Sequence, residues 1–384
     1  MMNLRIATKD LTLENCQHPG LLFDRFYPGC EREDKEGEFK RKHLQDVISS
    51  SNKSQVLELY KLSFKRWKEG LPKTKQRTGN LKTKNRMVLG LGKASVLEIG
   101  IHLHHHLGFP FIPGSSLKGI CAHYCSKIWG ALDESYKSTM TKDDKKSGEH
   151  HKFLFGDVTR AGAIGFEDAW WIPPVNSNSS PFQMDIITPH HKDWQDEGKA
   201  PPTDHDSPTP VSFLSFGGRF YFCLTWQGQH AQAPEEESEI DNWLDLAWKL
   251  LVEALCSDGV GGKKSSGYGS FDLEDYKKMV ISESKEKLEA EKLRQKQLEF
   301  EKMTPLQQDI AKFIEEHPNK DVNTKDYMRL LEELRKTNSR WAKEEDRREV
   351  ASMIKKAMII EKKWEKKDKD GERTKYIKDI LKES

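Results

Sequence analysis

The residues best suited to chemistry lie in a short loop, Gly259-Val-Gly-Gly-Lys-Lys-Ser-Ser-Gly-Tyr-Gly269. Its glycines, Gly261, Gly262 and Gly267 among them, let a backbone come close to a phosphate and aim successive N–H groups at it. Lys263 and Lys264 add charge, Ser265 and Ser266 add hydroxyls, and Tyr268 offers a ring for stacking. A plain turn between helix and strand is the alternative, but this concentration of Lys, Ser and Gly favours phosphate contact. The loop is not a P-loop, because G-x-x-x-x-G-K-[ST] is not matched and no strand leads into it. A second candidate is Gly114-Ser-Ser-Leu-Lys-Gly119, where Ser115, Ser116 and Lys118 open a helix. Free N–H groups at a helix start attract anions, although either serine could serve as an ordinary N-cap.

The run from Lys65 to Arg86 carries nine basic residues and one acid in a chain whose net charge is only +2. Lys65, Arg66, Lys73, Lys75, Arg77, Lys82, Lys84 and Arg86 fit a segment that tracks phosphates, with Trp67 interleaved and Gly70, Pro72 and Gly79 breaking any helix. Histidines invite an enzymatic reading: His102, His104 to His106, His150, His151, His190, His191 and His205, with Asp157, Asp185 and Asp206 as acidic companions. A metal-dependent ribonuclease is the alternative function these residues raise. Metal sites need convergent ligands, however, and neither H-E-x-x-H nor Cys/His zinc spacing is present. No cofactor or metal is expected.

Positioning these residues requires an α+β body. Val96–His104 alternates apolar and polar residues and predicts a strand, with Leu97, Ile99, Ile101 and Leu103 on one face. A helix after Ser115 and Ser116 would bury Leu117, Ile120, Cys121, Tyr124 and Ile128. Further strands are predicted near Ala163–Trp171, over Arg219–Trp226 and near Tyr268–Leu273. An amphipathic helix is predicted over Ile240–Cys256. The order β-α-β-β-α-β is that of a ferredoxin-like or RNA-recognition-like domain, here with long insertions at 133–152 and 173–212.

Composition divides the chain. About half of residues 281–384 are charged against about a quarter of residues 1–280, and Gly371 is the only glycine after position 280. The expected domains are 1–280, a body with an N-terminal helical and basic segment; 281–303, a solvated connector helix; and 304–384, a charged helical extension. Thr304, Pro305 and Gln307 form a capping box for a new helix. Helical patterns follow around Tyr327–Arg335 and Lys343–Ile360, and Asp370-Gly371 suggests a hairpin, which together would suit a winged-helix-like module. The six cysteines include no C-x-x-C pair, and Cys121 and Cys125 at helical spacing read as buried free thiols. With no apolar run of membrane-spanning length and no signal-like start, a reduced, cytoplasmic chain with no membrane partner is expected.

Several motifs together resemble the RAMP superfamily of CRISPR proteins. They are Leu89-Gly-Leu-Gly92, Glu98-x-Gly100, Phe111-Ile-Pro-Gly-Ser-Ser-Leu-Lys-Gly119, Phe155-Gly-Asp157, Asp168-Ala169, Asp185-x-x-Thr-Pro-His-His191 and the loop Gly259–Gly269. Within that superfamily the chain resembles the sixth-subunit family of the Cmr, or type III-B, RNA-guided effector complex. The Asp185–His191 block and His18-Pro-Gly-Leu-Leu-Phe-Asp-Arg25 are more specific to that family than the glycine loop. The resemblance covers about residues 15–275. It implies an RNA-recognition-like fold whose glycine loop and basic surface hold crRNA, and through the guide duplex meet target RNA. It also implies antiviral defence, no catalysis by this chain, and a place near the 3′ side of the guide. The implied neighbours are other RAMP backbone subunits and small helical subunits. His190 and His191 match the family block, with RNA contact and structural support both open.

Overall fold

In the computed structural model the described residues are 16–27, 37–140, 145–175, 179–188, 198, 201, 203–205, 208, 210–228, 237–316, 326–336, 338–361, 363–364 and 369–382. The chain divides into two compact units, Met1–Ile281 and Ser282–Ser384. The first mixes helices with antiparallel sheet. In chain order it has α1 Pro19–Arg25, α2 Glu38–Ser51, α3 Ser54–Gly70, β1 Gln76–Lys82, β2 Phe111–Ile112, α4 Gly114–Lys127, β3 Ser138–Met140, β4 Lys145–Ser147 and α5 Glu149–Phe155. There follow β5 Ile164–Phe166, β6 Ala169–Trp171, β7 Phe182–Ile187, β8 Val211–Phe216, β9 Arg219–Trp226, α6 Glu237–Ser257 and the start of α7, which spans Leu273–Lys302.

The main sheet runs β1-β9-β6-β2, with β5 also paired to β9, while β7 and β8 form a separate hairpin. Strand β9 is central because both of its faces are apolar. Phe220, Phe222 and Leu224 are fully buried on one face and Tyr221, Cys223 and Thr225 are nearly so on the other. Helices α4 and α6 pack together beneath the first face. Gly79, paired with Phe222 across β1 and β9, makes room for the Trp248 indole, which a Cβ there would meet at 2.5 Å. On the other face α3 lays Trp67 flat on Trp170, at 4.9 Å between centroids and 10° between planes, and sets Phe64 edge-on to Tyr221. The Tyr60 hydroxyl donates to Trp171 O at 2.7 Å. Both sheet faces are therefore covered, so Trp170 and Tyr221 sit under a helix rather than presenting rings to a ligand.

Several expectations are corrected. Val96–His104 is not a strand. The chain there folds through tight turns, with Ile99 N–H donating to Leu97 O and His102 N–H to Leu89 O, and its one ladder contact is an isolated bridge from Leu103 to Pro110. Leu97 and Ile101 are buried by these turns, which imitate strand periodicity in sequence. The stretch near Tyr268–Leu273 is likewise reduced to a single bridge, Phe271 to Thr83. Ile128, at the end of α4, is 40% exposed rather than inward. Cys121 and Cys125 are free, and burial pushes both thiols up, Cys125 to about 12.

The second unit contains most of α7, then α8 Pro305–Glu316, α9 Asp326–Arg335, α10 Glu344–Ile360 and α11 Lys369–Leu381. The capping box is present: Thr304 N–H donates to Gln307 Oε1 at 3.1 Å and Gln307 N–H to Thr304 Oγ1 at 3.3 Å. Phe313, Leu330, Leu334, Trp341, Ile354, Met358 and Ile377 share one core. The hairpin expected at Asp370-Gly371 is helical instead. It lies in α11, which buries Ile377 and anchors Tyr376 by a hydrogen bond to Leu334 O at 2.9 Å. The wing of a winged helix is thus replaced by a fourth helix after the connector.

Truncating the centre of β9 should be costly. Phe222→Ala removes a fully buried ring and is expected to destabilise the first unit by about 3–5 kcal/mol, whereas Leu62→Ala on the exposed side of α3 should cost under about 0.5 kcal/mol. Denaturant unfolding of both variants checks the difference.

Candidate nucleic-acid interface

The glycine-rich loop is held by the stretch just past β1, residues 82–88, which is bonded along both edges. On one edge Asp272 N–H donates to Lys82 O, Lys84 N–H to Ser270 O, Gly269 N–H to Arg86 O and Gly262 N–H to Val88 O, at 2.8–2.9 Å. On the other edge Thr83 N–H donates to Gly218 O, and Met87 and Phe216 exchange both backbone bonds. Through their backbones, residues of even number thus bond toward the loop, and Thr83 and Met87 toward the base of the β7–β8 hairpin. This alternation joins two distant parts of the chain through the second half of the basic run.

The glycines of the loop serve this close packing first. A Cβ at Gly261 would lie 2.3 Å from Val88 O and one at Gly269 2.0 Å from Val260 O, and both residues have positive φ. Lys263 is also left-handed, with φ 55, and starts the one-turn 3-10 segment Lys264–Ser266. The result is a fixed base and an exposed tip, with Lys264, Ser265, Ser266 and Gly267 all open to solvent. Lys82 and Lys84 are exposed on the adjoining strand. The Asp275 and Glu274 N–H groups, with Lys82 and Lys84, hold the Asp272 carboxyl low, so the exposed lysines of this edge, the rim, have an acid beside them.

Tyr268 fastens the tip to the hairpin. Its hydroxyl donates to Asp185 on β7 in a very short bond, and Arg86 pairs with the same carboxylate at 2.8 Å. Burial, then the Asp185 carboxylate, pushes the Tyr268 phenol up to about 12. Asn85 donates to Gly267 O at 3.2 Å. Between loop, hairpin base and the segment after β6 opens a cleft of about 910 Å³, lined by Asn85, Arg86, Gln183, Asp185, Arg219 and Tyr268 among others. Arg219 pairs there with Asp275 at 2.8 Å.

The other sequence candidates lie elsewhere. Lys65 and Arg66 occupy the exposed end of α3, and Lys73 and Lys75 the turn before β1. The 7 residues of β1 at ~3.3 Å each put Lys75 about 20 Å from Lys82 along the strand, whereas α3 carries Lys65 and Arg66 across the sheet near Tyr221. Arg77 is held by α6, through Asp245 at 2.5 Å and Asp241 at 3.1 Å. The basic run is therefore part helix, part turn and part strand, not one continuous loop. Ser115 and Ser116 do not cap α4, which is a correction: Pro113 is the N-cap residue, and Asp168 accepts the Gly114 N–H at 2.7 Å. Ser116 and Leu117 N–H both turn back to Pro113 O. This helix start already holds a carboxylate. Lys118 is half-buried on its first turn.

Among the described histidines His104, His105 and His106 form one group, with ring centroids 5.2–6.0 Å apart. His150 stacks on Tyr136 at 4.9 Å, His151 packs on Phe155, and burial lowers the pKa of His151. Burial also lowers His102 and His104, which pack on Phe111. Asp157 is turned onto Thr159 and Arg160 N–H, bonds that hold its carboxyl low. Among the described residues no three His, Cys, Asp or Glu could hold a metal ion. His190, His191 and Asp206 lie outside the described residues. Sequence reasoning missed Asn85, Gln183 and Arg219 as cleft residues, because single polar side chains at strand ends carry no periodic or motif signal.

Residues 80–272, half of the chain, match the RAMP superfamily, and this stretch contains the end of β1, the other strands of the main sheet, residues 82–88 and the glycine loop. The chain belongs to the RAMP superfamily. Within it, the chain is 27% identical over 255 residues to the CRISPR system Cmr subunit Cmr6 of Pyrococcus furiosus, covering 55% of this RAMP chain and 72% of that protein. It is 24% identical over 249 residues to the Cmr6 subunit of Saccharolobus solfataricus, covering 63% and 73%. A chain in the solved type III-B Cmr-beta complex bound to cognate target RNA is 21% identical, with a TM-score of 0.44, covering 62% of this chain and 72% of that one. No helix among the described residues of this RAMP protein is long and apolar enough to cross a membrane.

The Tyr268 tie carries a pH dependence. Because its folded pKa lies above the ordinary value near 10, the stability it contributes is fully present below pH 10 and is lost as pH rises through about 12. Tyr268→Phe should abolish that alkaline step, and phenolate absorbance of wild type and variant across pH 9–13 checks it.

Proposed function

We propose that this RAMP protein is a crRNA-binding, non-catalytic subunit of a type III-B CRISPR (Cmr) ribonucleoprotein complex, capping the RAMP backbone near the 3′ side of the guide and meeting target RNA through the guide duplex. The observation that carries it is the rim: Lys82 and Lys84 are exposed beside Asp272 and Ser270, Asn85 holds Gly267 at the exposed loop tip, and backbone bonds fix both edges of residues 82–88. Exposed lysines beside the serine hydroxyls of the tip suit a sugar-phosphate chain. The similarity to Cmr6 subunits supports the choice of complex. The neighbours would be other RAMP backbone subunits and small helical subunits.

The element order β1, α4, β5 and β6, β9, α6 and the 268–272 stretch is that of a ferredoxin-like domain, with the last strand shortened to one bridge. RNA would meet its edge and not its open face, since α3 occupies the face on which RNA-recognition domains stack bases. In this reading Lys82, Lys84, Arg86, Gly261, Gly262, Lys263, Lys264, Ser265, Ser266, Gly267 and Tyr268 form the main contact. Lys65 and Arg66 on α3, with Lys73 and Lys75 before β1, form a second contact. Arg77 acts within the fold through its two aspartates. Ser115, Ser116 and Lys118 flank a helix start that Asp168 already serves. His190 and His191 keep a proposed role in RNA contact.

Sequencing RNA that co-purifies with the tagged chain from its native cell tests the assignment. Short RNAs sharing a repeat-derived 5′ tag, together with other RAMP subunits, are expected; random RNA or none would overturn it. The rim makes a quantitative claim as well. If about five phosphates of a single strand are neutralised, affinity should fall with a log–log salt slope of roughly −3.5. Replacing Lys263 and Lys264 by Ala should make that slope shallower by about 1.4, read by fluorescence anisotropy across a salt series.

A further inference from the structure

The cleft beneath the loop differs in electrical character from the rim above it. Its ionised lining groups are Arg86, Arg219 and Asp185, and each arginine is already paired, Arg86 with Asp185 at 2.8 Å and Arg219 with Asp275 at 2.8 Å. A carboxylate on the floor repels phosphate, and arginines tied to carboxylates offer it little in return. What remains on the lining is uncharged. The Asn85 and Gln183 amides and the Tyr268 hydroxyl stand beside the prolines Pro173, Pro174 and Pro181. Among the described residues the Gln183 side-chain amide has no hydrogen-bond partner, and the residue is exposed. At about 910 Å³ the space lies within the range of small-molecule sites, larger than a single side chain needs.

Amide donors and acceptors between apolar walls, with charge cancelled, match the edge and faces of a nucleobase. We propose that this cleft receives an unstacked nucleobase of the bound RNA, with Gln183 and Asn85 contacting its polar edge while the lysine rim holds the phosphates on either side. This assignment rests on the RNA reading above and deepens it. It divides the labour physically: the rim supplies salt-dependent affinity, and the cleft supplies affinity that salt does not screen.

The test compares two single-stranded probes of equal length, an ordinary RNA and a ribose-phosphate strand without bases, binding to the full-length chain by anisotropy at several salt concentrations. The RNA should bind roughly tenfold or more tightly, the gain expected from holding a single base, with the same salt slope as the abasic strand. Gln183→Ala should reduce that preference, and Gln183→Trp, which fills the cleft, should remove it. Neither exposed substitution should move the slope. Equal binding of the two probes by wild type, with a steep slope retained, would overturn the base pocket and leave the RNA reading standing. Failure of both probes to bind at low salt would overturn both. A shallower slope in Gln183→Ala would show that the cleft holds phosphate and contradict the proposal.

Discussion

Residues 82–88 are the constraint on which the rest of the RAMP unit depends. Main-chain bonds on one edge fix the glycine loop and on the other fix the hairpin base, so neither can shift without breaking a ladder. Buried backbone bonds of this kind are costly to leave unmade. The fit is also steric, since Val88 O and Val260 O approach Gly261 and Gly269 more closely than any side chain allows. A loop with five glycines would be floppy in isolation. Here its glycines are spent on close contact, and only the tip from Lys264 to Gly267 is left open.

Two further features follow from how the sheet is covered. The rings of Trp170 and Tyr221, which on an open sheet could stack bases, are under α3, whose Trp67 and Phe64 take the place a ligand would occupy. Lys68 of the same helix lies 4.7 Å above the Tyr221 ring. Recognition is thereby moved to the sheet edge. There the charges sort by pairing: the lysines of the rim reach solvent, while the half-buried arginines of the cleft are tied to carboxylates.

Much of this was legible in sequence, and the exceptions have physical causes. The apolar run Arg219–Trp226 and the amphipathic pattern around Ile240–Cys256 matched β9 and α6 nearly to their ends, because a strand buried on both faces and a helix buried on one leave those patterns in sequence. The Thr304–Gln307 capping box was readable because a cap is a local interaction. Val96–His104 misled because turns around Gly90 and Gly100 bury Leu97 and Ile101 at the spacing a strand would show. Asp168, more than fifty positions from Gly114, took over the cap that local reading gave to Ser115 or Ser116. Asp370-Gly371 lacked a partner strand and joined a helix instead. The loop was visible as composition, but the cleft below it was not, since it is assembled from β6, β7, β9 and the 82–88 stretch only after folding.

The central claim is that RNA runs along the edge made by residues 82–86 and the loop 263–268. Ultraviolet crosslinking of the native complex, with the linked peptides mapped by mass spectrometry, tests it most directly. The expected result is that RNA adducts on this chain concentrate in peptides containing Lys82–Arg86 and Lys263–Tyr268. Adducts confined to α3, to α6 or to the helical second unit, with none at the loop, would contradict it.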